Sequence, residues 1–216
     1  MPGKNIQLAN QFAKDYDEQV LKNKWIGPDI LYNLLQEYIR EGQNLLDLGI
    51  GTGASSLPFY KAGLNITGID GSTEMLKICR AKKFTNKLIP LDLENNPLPF
   101  EKESFDIVIS NALLHLIHPL ESLFKDALLI LKADGVFSFT YEDSDDTSGY
   151  NQIEPGVWEK KTESGVFTFK HEKTYIRNLL NRNRFKKIKE NRFLAFYNKE
   201  LKKEFYFTAI VAQKQI

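Results

Sequence analysis

The stretch Asn44-Leu45-Leu46-Asp47-Leu48-Gly49-Ile50-Gly51-Thr52-Gly53-Ala54 decides the fold of this chain. A short apolar run that stops on a glycine reads as a buried strand. Glycines after such a strand let the backbone turn sharply and leave bare peptide groups against which a ligand can lie. As Gly-x-Gly-x-x-Ala the loop also satisfies a dinucleotide fingerprint, so the glycines by themselves leave the ligand open. Asp47 narrows it. A carboxylate directly before the glycines would repel a diphosphate and suits a ligand that has no phosphate and carries a cationic amino group.

Outward from this loop, apolar strand-like runs alternate with helical patterns. Leu57–Gly63 reads as a helix ended by glycine, and Asn65–Asp70 as the second strand. Ser72–Lys83 is a helix with Ser72 or Thr73 as its cap, and Lys87–Asp92 a third strand. After a proline-containing loop, Ser104–Ser110 is the fourth strand, Leu120–Leu131 a helix and Gly135–Tyr141 the fifth strand. This alternation predicts a parallel, doubly wound α/β sheet. Residues 1–40 carry apolar residues at helical spacing, among them Phe12, Tyr16, Val20, Leu31, Leu35 and Tyr38. After Tyr141 comes an acidic, irregular stretch (Glu142–Gln152), then a helix near Glu172–Asn181. Two closing strands, Phe185–Phe193 and Glu204–Gln213, separated by Tyr197–Lys203, read as a hairpin. One domain is expected, with residues 1–40 as a helical cover, 41–141 as a cofactor-binding core and 142–216 as a substrate-side insert with the hairpin.

Asp70 ends the second strand, about 20 residues past the loop, where a carboxylate can accept two ribose hydroxyls. Asp92 ends the third strand, where an adenine amino group could be met. Three carboxylates at the carboxyl ends of three successive strands all fall on the crevice where open α/β sheets bind ligands.

The composition fits an ordinary soluble globular protein. The 216 residues are 42% hydrophobic and 26% charged, and 29 Lys+Arg oppose 28 Asp+Glu, which gives no electrostatic case for a nucleic-acid partner. Residues 1–150 hold 14 basic and 21 acidic groups and residues 151–216 hold 15 and 7. The basic excess gathers at Arg182, Arg184, Lys186, Lys187, Lys189 and Arg192, in a pattern that reads as the solvated face of a strand. The single cysteine, Cys79, shares helical spacing with Met75, Leu76 and Ile78 and is expected in the core, in keeping with a reducing compartment. No stretch reaches the roughly 20 apolar residues of a membrane helix, and Met1–Asp17 lacks the apolar core of a signal peptide. The expectation is a soluble, cytoplasmic protein with no membrane partner.

The runs LLDLGIGTGASSLPFYKAGLNITGIDGSTEML and LDLENNPLPFEKESFDIVISNALLHLIHPLESLFKDALLILKADGVFSF resemble the class I S-adenosylmethionine-dependent methyltransferases. The resemblance covers roughly residues 40–141. It rests on acidic-x-Gly-x-Gly-x-Gly, Asp-x-Ser-x-x-Met-Leu, Leu-Pro-Phe-x-x-x-x-Phe-Asp and the Leu-His-x-Leu run taken together. It implies a Rossmann-like seven-stranded sheet of order 3-2-1-4-5-7-6 with the last strand antiparallel. The cofactor it implies is S-adenosylmethionine, with S-adenosylhomocysteine as product. Gly49, Gly51 and Gly53 would pack under the cofactor, and Asp47 would stand near its amino group, directly or through water. Asp70 would bind the ribose, Ser72 and Met75 would border the adenosine, and Asp92 with the backbone of Leu93 would meet adenine. Asn111 would lie beside the methionine portion, and Tyr16 is a candidate covering residue. Near the C-terminus, Arg184 stands where relatives commonly have glycine.

Methyl transfer from a sulfonium needs alignment and a water-poor site more than it needs protein groups. A base is required only for a protonated acceptor, and His115, just past the fourth strand, is the candidate. His118 and His171 read as turn and helix-start residues, and three scattered histidines make no metal site. The acceptor is expected to be a small molecule. The short acidic stretch after Tyr141 would repel nucleic acid. The N-terminal helices, the stretch after the fifth strand and the helix before the hairpin are expected to enclose the acceptor, with Tyr16, Trp25, Tyr150, Trp158, Phe167, Phe169 and Tyr175 near it. Two other classes stay open here: a non-catalytic binding subunit on the same fold, and an NAD-dependent oxidoreductase.

Overall fold

The computed structural model describes residues 3–198 and 203–215. The chain begins with α1 (Lys4–Phe12), a 3₁₀ turn (Ala13–Asp15), α2 (Tyr16–Lys22), α3 (Gly27–Leu35) and a second 3₁₀ turn (Gln36–Tyr38). The alternating core follows: β1 (Asn44–Leu48), α4 (Leu57–Lys61), β2 (Asn65–Asp70), α5 (Thr73–Ala81), β3 (Lys87–Pro90), β4 (Phe105–Ser110), a 3₁₀ turn (Leu114–Leu116), α6 (Glu121–Ile130) and β5 (Leu131–Glu142). Three short strands come next, β6 (Asn151–Glu154), β7 (Val157–Lys161) and β8 (Phe167–His171), then α7 (Lys173–Arg182), β9 (Phe185–Asn198) and β10 (Lys203–Lys214).

The main sheet has the order β3-β2-β1-β4-β5-β10-β9. Strands β1 to β5 pair in parallel, and β10 runs antiparallel to both β5 and β9. This is the predicted 3-2-1-4-5-7-6 arrangement. Of the hairpin turn expected at Tyr197–Lys203, residues 199–202 lie outside the described residues. The sheet is covered on both faces, and the strand period of two sorts its side chains between them. Leu46, Leu48, Val108, Phe137 and Phe139 join the core under α6 and α7, whereas Leu45, Ile107, Ile109 and Val136 join the core under α3, α4 and α5. Cys79 is fully buried in the second of these, and burial pushes its thiol up to about 12, which makes it an inert core residue.

The irregular stretch expected after Tyr141 is in part a second sheet. β6, β7 and β8 form an antiparallel meander, tied to the end of β5 by a bridge between Asp143 and His171. Its strands are only four or five residues long and are separated by turns at Gly156 and Gly165, both with positive φ. Segments that short carry too few alternations to register as strands. At the start of β9, Arg184 keeps the left-handed backbone (φ +54°) that relatives commonly give to glycine. A non-glycine residue adopts that conformation at a cost. The basic excess that follows is a solvated, ion-paired face: Lys187 meets Glu190, Lys189 meets Glu37, and Arg192 meets Asp143 and Asp145.

Candidate cofactor and acceptor site

The glycine loop follows β1 directly. Gly49 and Ile50 both donate backbone N–H groups to Ile69 O (2.8 and 2.9 Å), which binds the loop to the end of β2. Gly49, Gly51 and Gly53 all have positive φ. A Cβ at Gly53 would stand 2.5 Å from Phe84 Cζ, so this glycine serves close packing. A Cβ at Gly51 would meet no protein atom within 4 Å. Gly51 instead borders open cavity, in the place where a ligand would lie on bare backbone.

Asp70 is fixed by two backbone donors, Gly51 N to Oδ2 and Ser72 N to Oδ1, both at 2.8 Å. Ser72 accepts the Met75 N–H at 3.1 Å as the cap of α5 and donates to Asn10 Oδ1 at 2.8 Å. Burial raises the Asp70 carboxyl while these two N–H groups hold it down. Asp92 is oriented by Glu94 N (3.1 Å) and Asn95 Nδ2 (3.0 Å). Asn111 donates from Nδ2 to Ser55 Oγ at 2.9 Å and accepts from Thr140 Oγ1 at 3.0 Å, so its amide plane is locked from both sides.

A cavity of about 160 Å³ brings Gly49, Gly51, Asp70, Met75, Asp92, Leu93 and Asn111 together. Asn5, Ile6 and Ala9 of α1 and Tyr16 close it from above. Of the residues expected about the adenosine, Asp70, Met75, Asp92 and Leu93 share one wall with Tyr16, and Ser72 does not. Burial, then the carboxylates of Asp70, Asp17 and Asp47, raises the Tyr16 phenol and keeps it protonated. The strap of α1 and α2 is pinned by polar contacts: Asn10 accepts from Ser72 Oγ and Glu74 N, Asn5 Nδ2 donates to Leu116 O, and Asp17 takes Thr52 Oγ1 and Lys82 Nζ.

Ser72 and Asp47 stand behind this wall rather than in it. Asp47 is 1% exposed. Its Oδ2 accepts from Ser56 Oγ at 2.6 Å, and its Oδ1 is buried without a partner. Burial pushes its carboxyl up to about 7. An orphaned carboxylate oxygen under the glycine loop is a feature a cationic amino group would satisfy. Together with the bare ledge at Gly51, it fits S-adenosylmethionine and not a diphosphate.

A second cavity, of about 310 Å³, adjoins the first across Tyr16, Ala112 and Leu116. Its remaining walls are Gln19, Val20, Asn23 and Trp25 from the N-terminal segment, His115, and Ala195, Phe196 and Phe207 from β9 and β10. Trp25 meets Phe207 edge-on at 5.4 Å, and His115 does the same at 5.5 Å. Burial lowers the His115 imidazole, opposed in part by Glu142, so it is held neutral with Nδ1 unpartnered.

Of the three segments expected to enclose the acceptor, only the N-terminal one borders this cavity. The terminal hairpin takes the place of the stretch after β5 and of α7. Tyr150, Trp158, Phe167, Phe169 and Tyr175 belong instead to the small sheet and its surroundings, where Phe169 packs on His118 (5.2 Å) and Tyr175 stacks on His171 (5.5 Å). The hairpin residues Ala195, Phe196 and Phe207 were missed. Strand alternation marks them only as inward-facing, and nothing local says which cavity they meet. Among the described residues no group of three or more His, Cys, Asp or Glu is placed to hold a metal.

A family model described as a methyltransferase domain matches residues 46–139. Demethylmenaquinone methyltransferase of Tropheryma whipplei is 37% identical over 99 residues, 45% of this chain and 41% of that protein. The chain spans about half the length, or less, of the first curated relatives it matches. Among solved structures, an S-adenosylmethionine-dependent methyltransferase of Methanosarcina mazei superposes with a TM-score of 0.72 at 18% identity, over 86% of this chain and 99% of that one. The 1,6-didemethyltoxoflavin-N1-methyltransferase of Burkholderia thailandensis, solved with its substrate and S-adenosylhomocysteine, gives 0.71 at 16% identity over 97% and 88%. The domain match lies on the glycine loop, Asp70 and the strands that carry them, so residues 46–139 are similar to a methyltransferase domain and the chain shares the fold of S-adenosylmethionine-dependent methyltransferases.

Proposed function

We propose that the protein transfers the methyl group of S-adenosylmethionine to an uncharged, largely apolar small molecule held in the Trp25–His115–Phe207 cavity. One observation carries this reading: the second cavity opens beside the cofactor wall, and among the described residues none of those lining it is charged. An anionic acceptor would find no counter-charge there, and a polymer backbone of phosphates would find no cation. Demethylmenaquinone methyltransferase, named for a small-molecule acceptor, is consistent with it.

Asp70 would take the ribose hydroxyls, Met75 and Leu93 would border the adenosine, and Asp92 would accept from adenine. Asn111 and the loop beneath which Asp47 is buried would face the methionine end. When bound, the cofactor supplies an activated methyl group whose leaving sulfur departs as a neutral thioether. The protein's own part is to hold the acceptor in line, exclude water and remove a proton where the acceptor carries one. Tyr16, shared by both cavities, would separate acceptor from bulk water, and His115, neutral and unpartnered at Nδ1, would take the proton. The absence of a long apolar helix among the described residues and a buried free thiol are consistent with a cytoplasmic site of action.

The test is a panel of phenols, enols, carboxylates and short RNAs offered with methyl-labelled S-adenosylmethionine. Label should enter uncharged hydroxyl acceptors. His115→Ala should lower that turnover by about 10²–10⁴-fold while S-adenosylhomocysteine affinity stays as in the wild type. Transfer confined to RNA or to carboxylates would overturn the acceptor class. Tight cofactor binding with no transfer to any member would favour the non-catalytic subunit.

A further inference from the structure

Behind the acceptor cavity lies a charged pair that binding and packing do not require. β5 ends on Glu142, the register partner of Phe207 on β10, so the two side chains share a face of the sheet. His115 packs on that same Phe207 ring. Glu142 is 6% exposed, and its Oε1 stands 3.0 Å from Nζ of Lys170, itself 4% exposed. Lys170 is held from the far side, where Nζ donates to Asp146 O at 2.8 Å and lies 5.2 Å from the centre of the Tyr150 ring. A buried ion pair is seldom more stabilising than apolar residues of the same size, so a pair in this place invites a functional reason. The ionisable groups around His115 are Glu142 on β5, Lys170 and His171 on β8, His118 on its own segment and Tyr16 across the cavity. Glu142 supplies the favourable interaction for an imidazolium and burial opposes one; the cation of Lys170, paired with Glu142, offsets part of that attraction.

We propose that Glu142 is a positioning residue for His115, the counter-charge that lets this imidazole accept the acceptor's proton, and that Lys170 pairs with Glu142 and holds it in place. The inference rests on the reading of His115 as the base of the acceptor cavity. As the acceptor's hydroxyl oxygen gains the methyl group, its O–H proton passes to the imidazole, which changes from neutral to cationic within the field of Glu142. The proton then leaves to solvent, and the imidazole returns to its neutral state. Lys170 moderates the carboxylate, so that His115 is empty of protons before the reaction and able to hold one during it.

The experiment is an NMR titration of the whole ligand-free protein carrying isotope-labelled histidine, with His115 assigned through His115→Gln. It needs no acceptor. Glu142→Gln, which keeps an oxygen for Lys170 to meet, should weaken proton binding by His115 at least threefold. Glu142→Asp should act in the same direction but less, and it serves in place of the first variant should that one not fold. Lys170→Gln should strengthen proton binding, and Lys170→Arg should restore the wild-type curve. Opposite shifts from the Glu142 and Lys170 variants support the proposal, because loosened packing would move His115 in one direction only. A His115 titration unchanged in Glu142→Gln, or shifted alike by loss of either charge, overturns it while leaving the acceptor panel to judge the cavity separately. Once a hydroxyl acceptor is in hand, the acid limb of kcat/KM should move with the same signs, and a limb that stays fixed while the NMR curve moves overturns the catalytic part.

Discussion

Over β1, β2 and β3 the site is made of backbone and short polar groups: bare glycine peptides, a carboxylate held by two N–H donors, an asparagine locked by two hydroxyls. Over β5 and β10 it is made of rings, with Trp25, Phe193 and Phe207 packed in mutual contact and His115 laid on their edge. The first kind of site hangs on short motifs at the ends of neighbouring strands, which the sheet order brings side by side. The second is assembled from residues 25, 115, 193 and 207, which only the finished fold brings together. Local construction gives one dependable ligand geometry, and long-range construction allows a cavity to be reshaped without disturbing it.

The comparison can be broken most severely at Phe207. Phe207→Ala should destabilise the protein by about 3–5 kcal/mol in denaturant unfolding, and the folded fraction should keep its S-adenosylhomocysteine affinity. A loss of cofactor affinity in that fraction would mean that the two halves are not independent.

The next largest effect concerns Asp47, whose folded-state carboxyl lies at about 7 against an ordinary 3.8. Between these values the native state holds a proton that the unfolded chain has released. Stability is therefore fullest below pH 4 in this respect and is lost as pH rises through 7, by up to about 1.4 kcal/mol per pH unit. Asp47→Asn should remove this slope, so that unfolding curves of wild type and variant agree near pH 4 and the variant is the more stable at pH 8. It should bind S-adenosylhomocysteine more weakly there, because the charge that destabilises the empty protein is the one the amino group needs.

Asp70→Ala should cost about 1.5–3 kcal/mol of cofactor binding, tenfold or more in affinity, measured by calorimetry. Unchanged affinity would remove Asp70 from the ribose site. At the small end, Arg184→Gly should stabilise the protein by about 1 kcal/mol, since glycine adopts φ +54° without the side-chain penalty. Thermal unfolding checks the sign.

The same contrast explains what could be read without coordinates. The glycine loop, Asp70, Asp92 and the parallel core announce themselves through local pattern, whereas the strand order comes from the family resemblance, which also accounts for the closing hairpin. Tyr16 is named through the resemblance of its N-terminal segment, and His115 through its place just past β4. The small sheet escaped, because β6, β7 and β8 are too short to show an alternating pattern. With it went the placing of Trp158, Phe167 and Phe169, aromatic residues whose type says that they pack but not against what. That Asp47 stands behind the loop also lay beyond the motif, because its inward direction depends on Ser56 reaching it from the following helix.

The strap of α1 and α2 contributes no fully buried residue, although it roofs the cofactor cavity. Its polar attachments are the side chains of Asn5, Asn10 and Asp17, beside apolar packing of Ile6 near Gly71 and of the buried Ala13 between the helices. Raising it would therefore exchange a handful of polar and apolar contacts for water and leave the central sheet intact. On the proposed reading, spent thioether would leave and fresh sulfonium would enter past this roof, so its lifting would cost the central sheet nothing.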